Sequence, residues 1–170
     1  EGRNDYRYYY NFVFTSDNTS ILTKYAGLNA ENVFYKDLAT YSLAAVDANI
    51  ILFRYADVLL LRAEAKAKLG QYGAARTDLA AVSTRAGASA YEGDDEGLYE
   101  EIFRERSREL FCEGERGYDL VRTVFLKTEA GGVFGTARYD QEGWKWPVAR
   151  KLFVNNYVLR QNRFWEGKVK

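Results

Sequence analysis

Three glutamates spaced four apart, Glu105, Glu109 and Glu113, alternate with Arg106 and Arg108 and are followed by Arg116, Asp119 and Arg122. Paired carboxylates are the machinery of glycoside hydrolysis, where one acid must be kept protonated and a second ionised across an open cleft. Guanidinium groups set among the acids work against that: they depress carboxylate pKa values and form bidentate pairs. The eight residues therefore read as a structural ion-pair network locking two helices, and none is assigned a catalytic role. A glycoside hydrolase is a distant third reading of the chain. A second set of side chains is suited to holding a ligand. Apolar pyranose faces stack on flat rings while polar neighbours take the hydroxyls, and Tyr6, Tyr8, Tyr9, Tyr10, Trp144, Trp146 and Trp165 offer such rings. Of these, Tyr8, Tyr9, Tyr10 and Trp144 are the candidate ligand-binding residues. Trp146, next to Pro147, reads as packing, and Cys112 as a small buried hydrophobe on the inner side of a helix.

Composition removes much other chemistry. There is no histidine, hence no Ser-His-Asp or Cys-His nucleophile and none of the commonest transition-metal ligand. The single cysteine excludes an internal disulfide framework and any cysteine-rich zinc module. Lys+Arg and Asp+Glu number 24 each, so no bulk field steers the chain toward nucleic acid. No metal, cofactor or nucleic-acid partner is expected. Hydrophobic residues at 47% and aromatics at 16% argue against disorder, and 170 residues suffice for a real core. With no methionine and an opening Glu1-Gly2-Arg3, the chain is expected to be an excised or processed piece of a longer protein. Its longest apolar runs, such as 50–53 and 58–61, are far short of a membrane span.

The elements that must position these residues are mostly helical. Residues 1–48 form an aromatic strand and loop segment. Within it, 7–14 is the best strand, with Tyr8, Tyr10, Phe12 and Phe14 on one face; a turn follows at Ser16-Asp17-Asn18 and a second strand at 21–25, a short β-hairpin. Residues 50–125 form a helical core. A helix over 54–69 buries Tyr55, Leu59, Ala63 and Ala67 and stops at Gly70. A second over 72–85 turns Ala75, Leu79 and Val82 inward, a third covers 98–112 with Leu98, Ile102 and Leu110 buried, and a fourth covers 117–125. Residues 126–170 read as irregular, and Gly131 to Gly135 as a loop without the strand-then-helix setting of a phosphate site. The first two helices carry tetratricopeptide-like spacings: Ala63, Leu69-Gly70, Tyr72, Ala75 and Leu79. One such unit cannot bury its outer face alone, so it is expected to cap a stack.

Three blocks in order resemble the C-terminal part of the SusD/RagB family. The first is Arg54-Tyr55-Ala56-Asp57-Val58-Leu59-Leu60-Leu61-Arg62-Ala63-Glu64-Ala65. The second runs Glu105-Arg106, Arg108-Glu109-Leu110, Glu113-Gly114, Arg116, Asp119-Leu120, Arg122, and is the specific one, with eight charges at fixed offsets across a helix break. The third is Trp146-Pro147-Val148, then Leu152, Asn156, Leu159 and Gln161-Asn162. The chain departs from the family pattern at Asp57 (Glu), Ala149 and Tyr157 (each Pro) and Arg163 (Pro). The resemblance implies a surface-displayed outer-membrane lipoprotein of Bacteroidetes, helical and without catalytic activity. Such a protein takes an oligosaccharide or peptide nutrient and passes it to a TonB-dependent, SusC-like transporter. The lipid anchor would lie outside this chain. The alternative is a tetratricopeptide-type structural module whose partner is protein rather than sugar.

Overall fold

A computed structural model describes residues 4–14, 20–25, 50–128 and 134–169. The expected turn at 16–18, most of the loop up to residue 48 and most of Gly131 to Gly135 lie outside the described residues. The chain divides into two compact units, Glu1–Glu113 and Gly114–Lys170, each taken by itself below. No helix of the described residues is long and apolar enough to cross a membrane.

The first unit is built on three helices, α2 (Tyr55–Lys68), α3 (Tyr72–Ser83) and α4 (Asp95–Glu109). Leu60, Ala63 and Ala67 of α2 meet Ala75, Leu79 and Val82 of α3 and Leu98 and Ile102 of α4 in one core. Alanine at the α2–α3 crossing lets the two backbones approach, and α2 ends where Gly70 takes φ +73°, a left-handed conformation that costs other residues energy. Asp94 caps α4 by accepting from Gly97 N at 2.7 Å, and Asp95 and Glu96 in its first turn suit the positive end of the helix dipole. The inner face of α2 differs from the expected one. Tyr55 is 71% exposed, while Leu60 and the charged Asp57 and Glu64 are buried. The stripe is rotated because the ion pairs described below draw Asp57 inward.

The N-terminal segment overturns the expected strand over 7–14. Tyr6–Asn11 is a helix, α1, and only Phe12–Phe14 (β1) is extended, paired antiparallel with Ser20–Leu22 (β2), Phe12 opposite Leu22. The tyrosine alternation suits a strand, but Asp5 accepts from Arg7 N at 2.9 Å and caps a helix instead. The segment lies against the helices: Tyr6 N donates to Ala86 O at 2.8 Å, and a Cβ on Gly87 would come within 2.4 Å of Asn4 O. Glycine is required at Gly87 both by that approach and by its φ of +78°.

In the second unit, α5 (Glu115–Arg122) follows Gly114 at φ +93°, a short 3-10 turn spans Phe125–Lys127, and α6 (Thr136–Asp140) lies in the stretch expected to be irregular. Further 3-10 turns cover Arg150–Phe153 and Arg163–Trp165. Cys112 is exposed, with φ +62°, not buried inside a helix: α4 stops at Glu109, and the chain turns through Cys112 before Gly114.

Candidate functional site

The glutamates of α4, with Glu113 just beyond its end, form a rail that collects cations from distant parts of the first unit. Glu105 accepts from Arg7 at 2.7 Å and from Arg108 at 2.8 Å. Glu109 accepts from Arg7 at 2.8 Å and also pairs with Arg54 and Arg85. Glu113 takes Arg54 at 2.8 Å and Lys24. One turn away, Arg106, its side chain 1% exposed, meets Asp57 of α2 at 2.7 Å. Lys24 also donates to Glu109 O and Phe111 O, both at 3.0 Å, closing the carbonyl end of α4. Burial pushes the Glu109 carboxyl up, but the Arg54 and Arg7 hydrogen bonds and the Arg54 and Arg85 charges outweigh it and hold its pKa below the ordinary value. Glu113 is treated alike, burial opposing and Arg54 and Lys24 prevailing. Carboxylates kept ionised in this way are the opposite of the protonated acid that sugar hydrolysis requires.

In the second unit Arg116, Asp119 and Arg122 all lie on α5, where Arg122 donates to Asp119 at 2.7 Å within one turn. The eight network residues thus fall in two places. Arg7, Lys24, Arg54, Arg85 and Asp57, which complete the part on α4, were not grouped with them from the sequence. Their separations of 24 to 102 residues leave no periodic trace.

Tyr8, Tyr9 and Tyr10 are each half exposed or more, at 50%, 57% and 62%. Tyr8 stacks on Phe14 at 5.0 Å and meets Tyr9 edge-on at 5.4 Å. It lines a shallow cleft of about 330 Å³ with Arg7, Asn11, Ser107, Arg108 and Phe111. Tyr9 and Tyr10 do not line it.

Trp144 lines a larger cleft, about 680 Å³, made wholly within the second unit by Tyr118, Leu126, Phe134 and Trp146 together with Arg122 and Lys145. The Lys145 ammonium lies 5.3 Å from the centre of the Trp144 ring. Trp146, expected to pack, is 89% exposed, and Tyr118 is 75% exposed. The reason lies in the backbone. Gln161 holds the segment after Trp146 as a neighbouring strand would, Nε2 donating to Val148 O at 2.9 Å and Oε1 accepting from Val148 N at 2.8 Å. Asn162 Nδ2 donates to Trp146 O. With Pro147 rigid between them, the chain is fixed and the indole is left outside. Behind the cleft, the Arg138 guanidinium sits over Phe134, Phe164 and Trp165 at 4.4, 5.1 and 5.7 Å, and Trp165 Nε1 donates to Lys145 O at 2.6 Å. Among the described residues no group of three or more His, Cys, Asp or Glu could hold a metal ion.

The chain belongs to the SusD family, whose sequence model matches residues 3–165. A SusD-like protein, P38, of Formosa agariphila is 33% identical over 93% of this chain and 31% of its own length. A crystallised SusD homolog from Bacteroides thetaiotaomicron superposes with a TM-score of 0.77 at 30% identity, covering 95% of this chain and 35% of that one. A SusD superfamily protein from the same organism gives 0.66 at 28% identity, over 92% and 32%. The chain therefore spans about a third of the length of these relatives.

Proposed function

We propose that this chain belongs to a non-catalytic nutrient-binding protein that captures a glycan, or another nutrient polymer, at the outer-membrane surface. The observation that carries the reading is the 680 Å³ cleft, with Trp146 and Tyr118 open to solvent and cationic donors beside the rings. Flat rings exposed next to polar groups are what a pyranose needs, and leaving them exposed has no benefit to folding. Trp144 contributes a ring to that cleft; Tyr8, Tyr9 and Tyr10 form a second, smaller platform on the first unit. Family membership supports the rest: a parent lipoprotein anchored in the outer membrane, handing its ligand to a TonB-dependent, SusC-like transporter. The α2–α3 hairpin acts as a tetratricopeptide-like scaffold, and the strand pair at the N-terminal side as part of the clasp that ties the aromatic segment to it.

A second reading is favoured by one feature. Tyr55 and Val58 on α2 and Leu69 just past its end are apolar yet 71%, 55% and 72% exposed, suited to a protein neighbour. Isothermal calorimetry against a glycan array separates the two. Binding that Trp146→Ala and Trp144→Ala weaken at least about ten-fold places capture in the cleft, since stacking is worth about 1–3 kcal/mol per ring by analogy with stacked bases. Binding lost instead in Tyr9→Ala places it on the first unit. Absence of any glycan binding by chain and parent alike moves protein interaction to the front.

A further inference from the structure

We infer that the cleft of the second unit selects an anionic oligosaccharide, one bearing carboxylate or sulfate groups, over a neutral one. The inference rests on the reading that this cleft holds a glycan and adds which chemical class it takes. Zero net charge hides a division: Gly114–Lys170 carries eleven Lys and Arg against six Asp and Glu, Glu1–Glu113 thirteen against eighteen. The second unit is thus five charges positive. The cleft lining sharpens the bias, since among the described residues its charged members are Arg122 and Lys145 and none is a carboxylate.

Both cations are held at the lining by acids outside it. Asp119, its side chain 5% exposed, holds Arg122 at 2.7 Å, while Arg122 remains 35% exposed. Glu142 meets Lys145 at 2.7 Å, with side chains 49% and 37% exposed. A pair as wet as Glu142–Lys145 contributes little, so an incoming anion can take the place of Glu142 at small cost. Asp119, in contrast, keeps the Arg122 fork in position. A neutral sugar stacked on Trp146 or Tyr118 gains ordinary hydrogen bonds from these donors. A uronate or sulfate ester gains charge-assisted ones, roughly twice as strong, with the Lys145 ammonium as the point donor, while Arg122, whose Nε and Nη2 donate to Asp119 at 2.9 and 2.7 Å, adds its charge rather than a fork. The attraction is partly exposed and therefore weakens with salt, whose screening length falls to about 8 Å at physiological ionic strength.

The test is calorimetry on the intact chain with four oligosaccharides of matched length: oligogalacturonate, a sulfated carrageenan oligomer, cellohexaose and maltohexaose. At least one anionic probe is expected to bind about ten-fold more tightly than either neutral one at low salt. That margin should shrink as sodium chloride is raised, and Lys145→Gln should cut the anionic-to-neutral affinity ratio about three-fold or more. The carboxylate and sulfate arms show which anion is preferred. Equal affinity for neutral and anionic probes, or a margin insensitive to salt in the unmodified chain, overturns the selectivity and leaves the cleft itself standing. Binding untouched by Trp146→Ala, or no binding to any of the four, overturns both.

Discussion

The two units are held together by opposite means. Among the described residues every buried hydrophobic side chain lies in Glu1–Glu113, together with the buried Glu105, Arg106, Glu109 and Asp57. Of its described residues, Gly114–Lys170 buries only Asp119 and Gly143, and it relies on cations over rings and on side chains that hydrogen-bond to backbone. The difference teaches where each kind of residue is free to act. In the first unit charges are spent inward, on organising helices. In the second, aromatic rings and cations stay at the surface, where a ligand reaches them.

All three tryptophans, Trp144, Trp146 and Trp165, belong to the second unit, whereas the longest helices belong to the first. Tryptophan fluorescence and far-ultraviolet circular dichroism therefore report on the two units separately. The largest effect is expected from Glu109→Gln, which strips a shared partner from Arg7, Arg54 and Arg85 and should destabilise the first unit by about 3–5 kcal/mol. Urea unfolding followed by dichroism measures it, and a loss below about 1 kcal/mol would mean that the rail behaves as surface charge. Ile102→Ala in the apolar core should cost about 2–5 kcal/mol in the same assay.

Acid probes the rail without mutation. The pKa values of Glu109 and Glu113 lie lower when folded than the ordinary 4.5, so the stability they contribute is complete above that value. It is lost as pH falls from about 4.5 through the depressed folded values. The dichroism midpoint in urea should fall over that range, and more steeply than the fluorescence midpoint. Parallel shifts of the two would break the contrast.

In the second unit, a Cβ on Gly143 would stand 2.5 Å from Arg138 Cγ and 2.9 Å from Phe164 Cγ, so Gly143→Ala should destabilise by about 1–3 kcal/mol, read by fluorescence. Arg138→Met keeps bulk but removes the cation from three rings and should cost about 1 kcal/mol. Smallest of all, Trp146→Ala should move stability by under about 0.5 kcal/mol, because so exposed a ring packs little. A larger loss would mark Trp146 as structural, as its motif position suggests, and count against the cleft as a binding site.

The helices were legible in the sequence because their signals are local: an alanine-rich period ending at Gly70 and a break at Gly114. The acids and arginines of the rail were legible as paired charges. Their partners were not, since Arg7 and Lys24 reach α4 across 98 and 85 residues. The same contacts explain the wrong strand at Tyr8 to Tyr10, where a cap at Asp5 and an anchored Arg7 override an aromatic alternation. Trp146 misled for a related reason. Gln161 and Asn162, thirteen and sixteen residues from their acceptors, fix the backbone of the motif and leave its largest ring unused.

Because Arg7, Arg54 and Arg85 converge on Glu109 from three separate stretches of chain, none of the three can be valued alone. Removing one lets the carboxylate tighten on the others, and removing Glu109 strands all three, so their mutational effects are expected to be non-additive. The order of substitution then matters. A variant lineage could lose any one arginine at modest cost, yet after the first loss the second becomes far harder to accept, and the glutamate becomes dispensable only after its partners are gone.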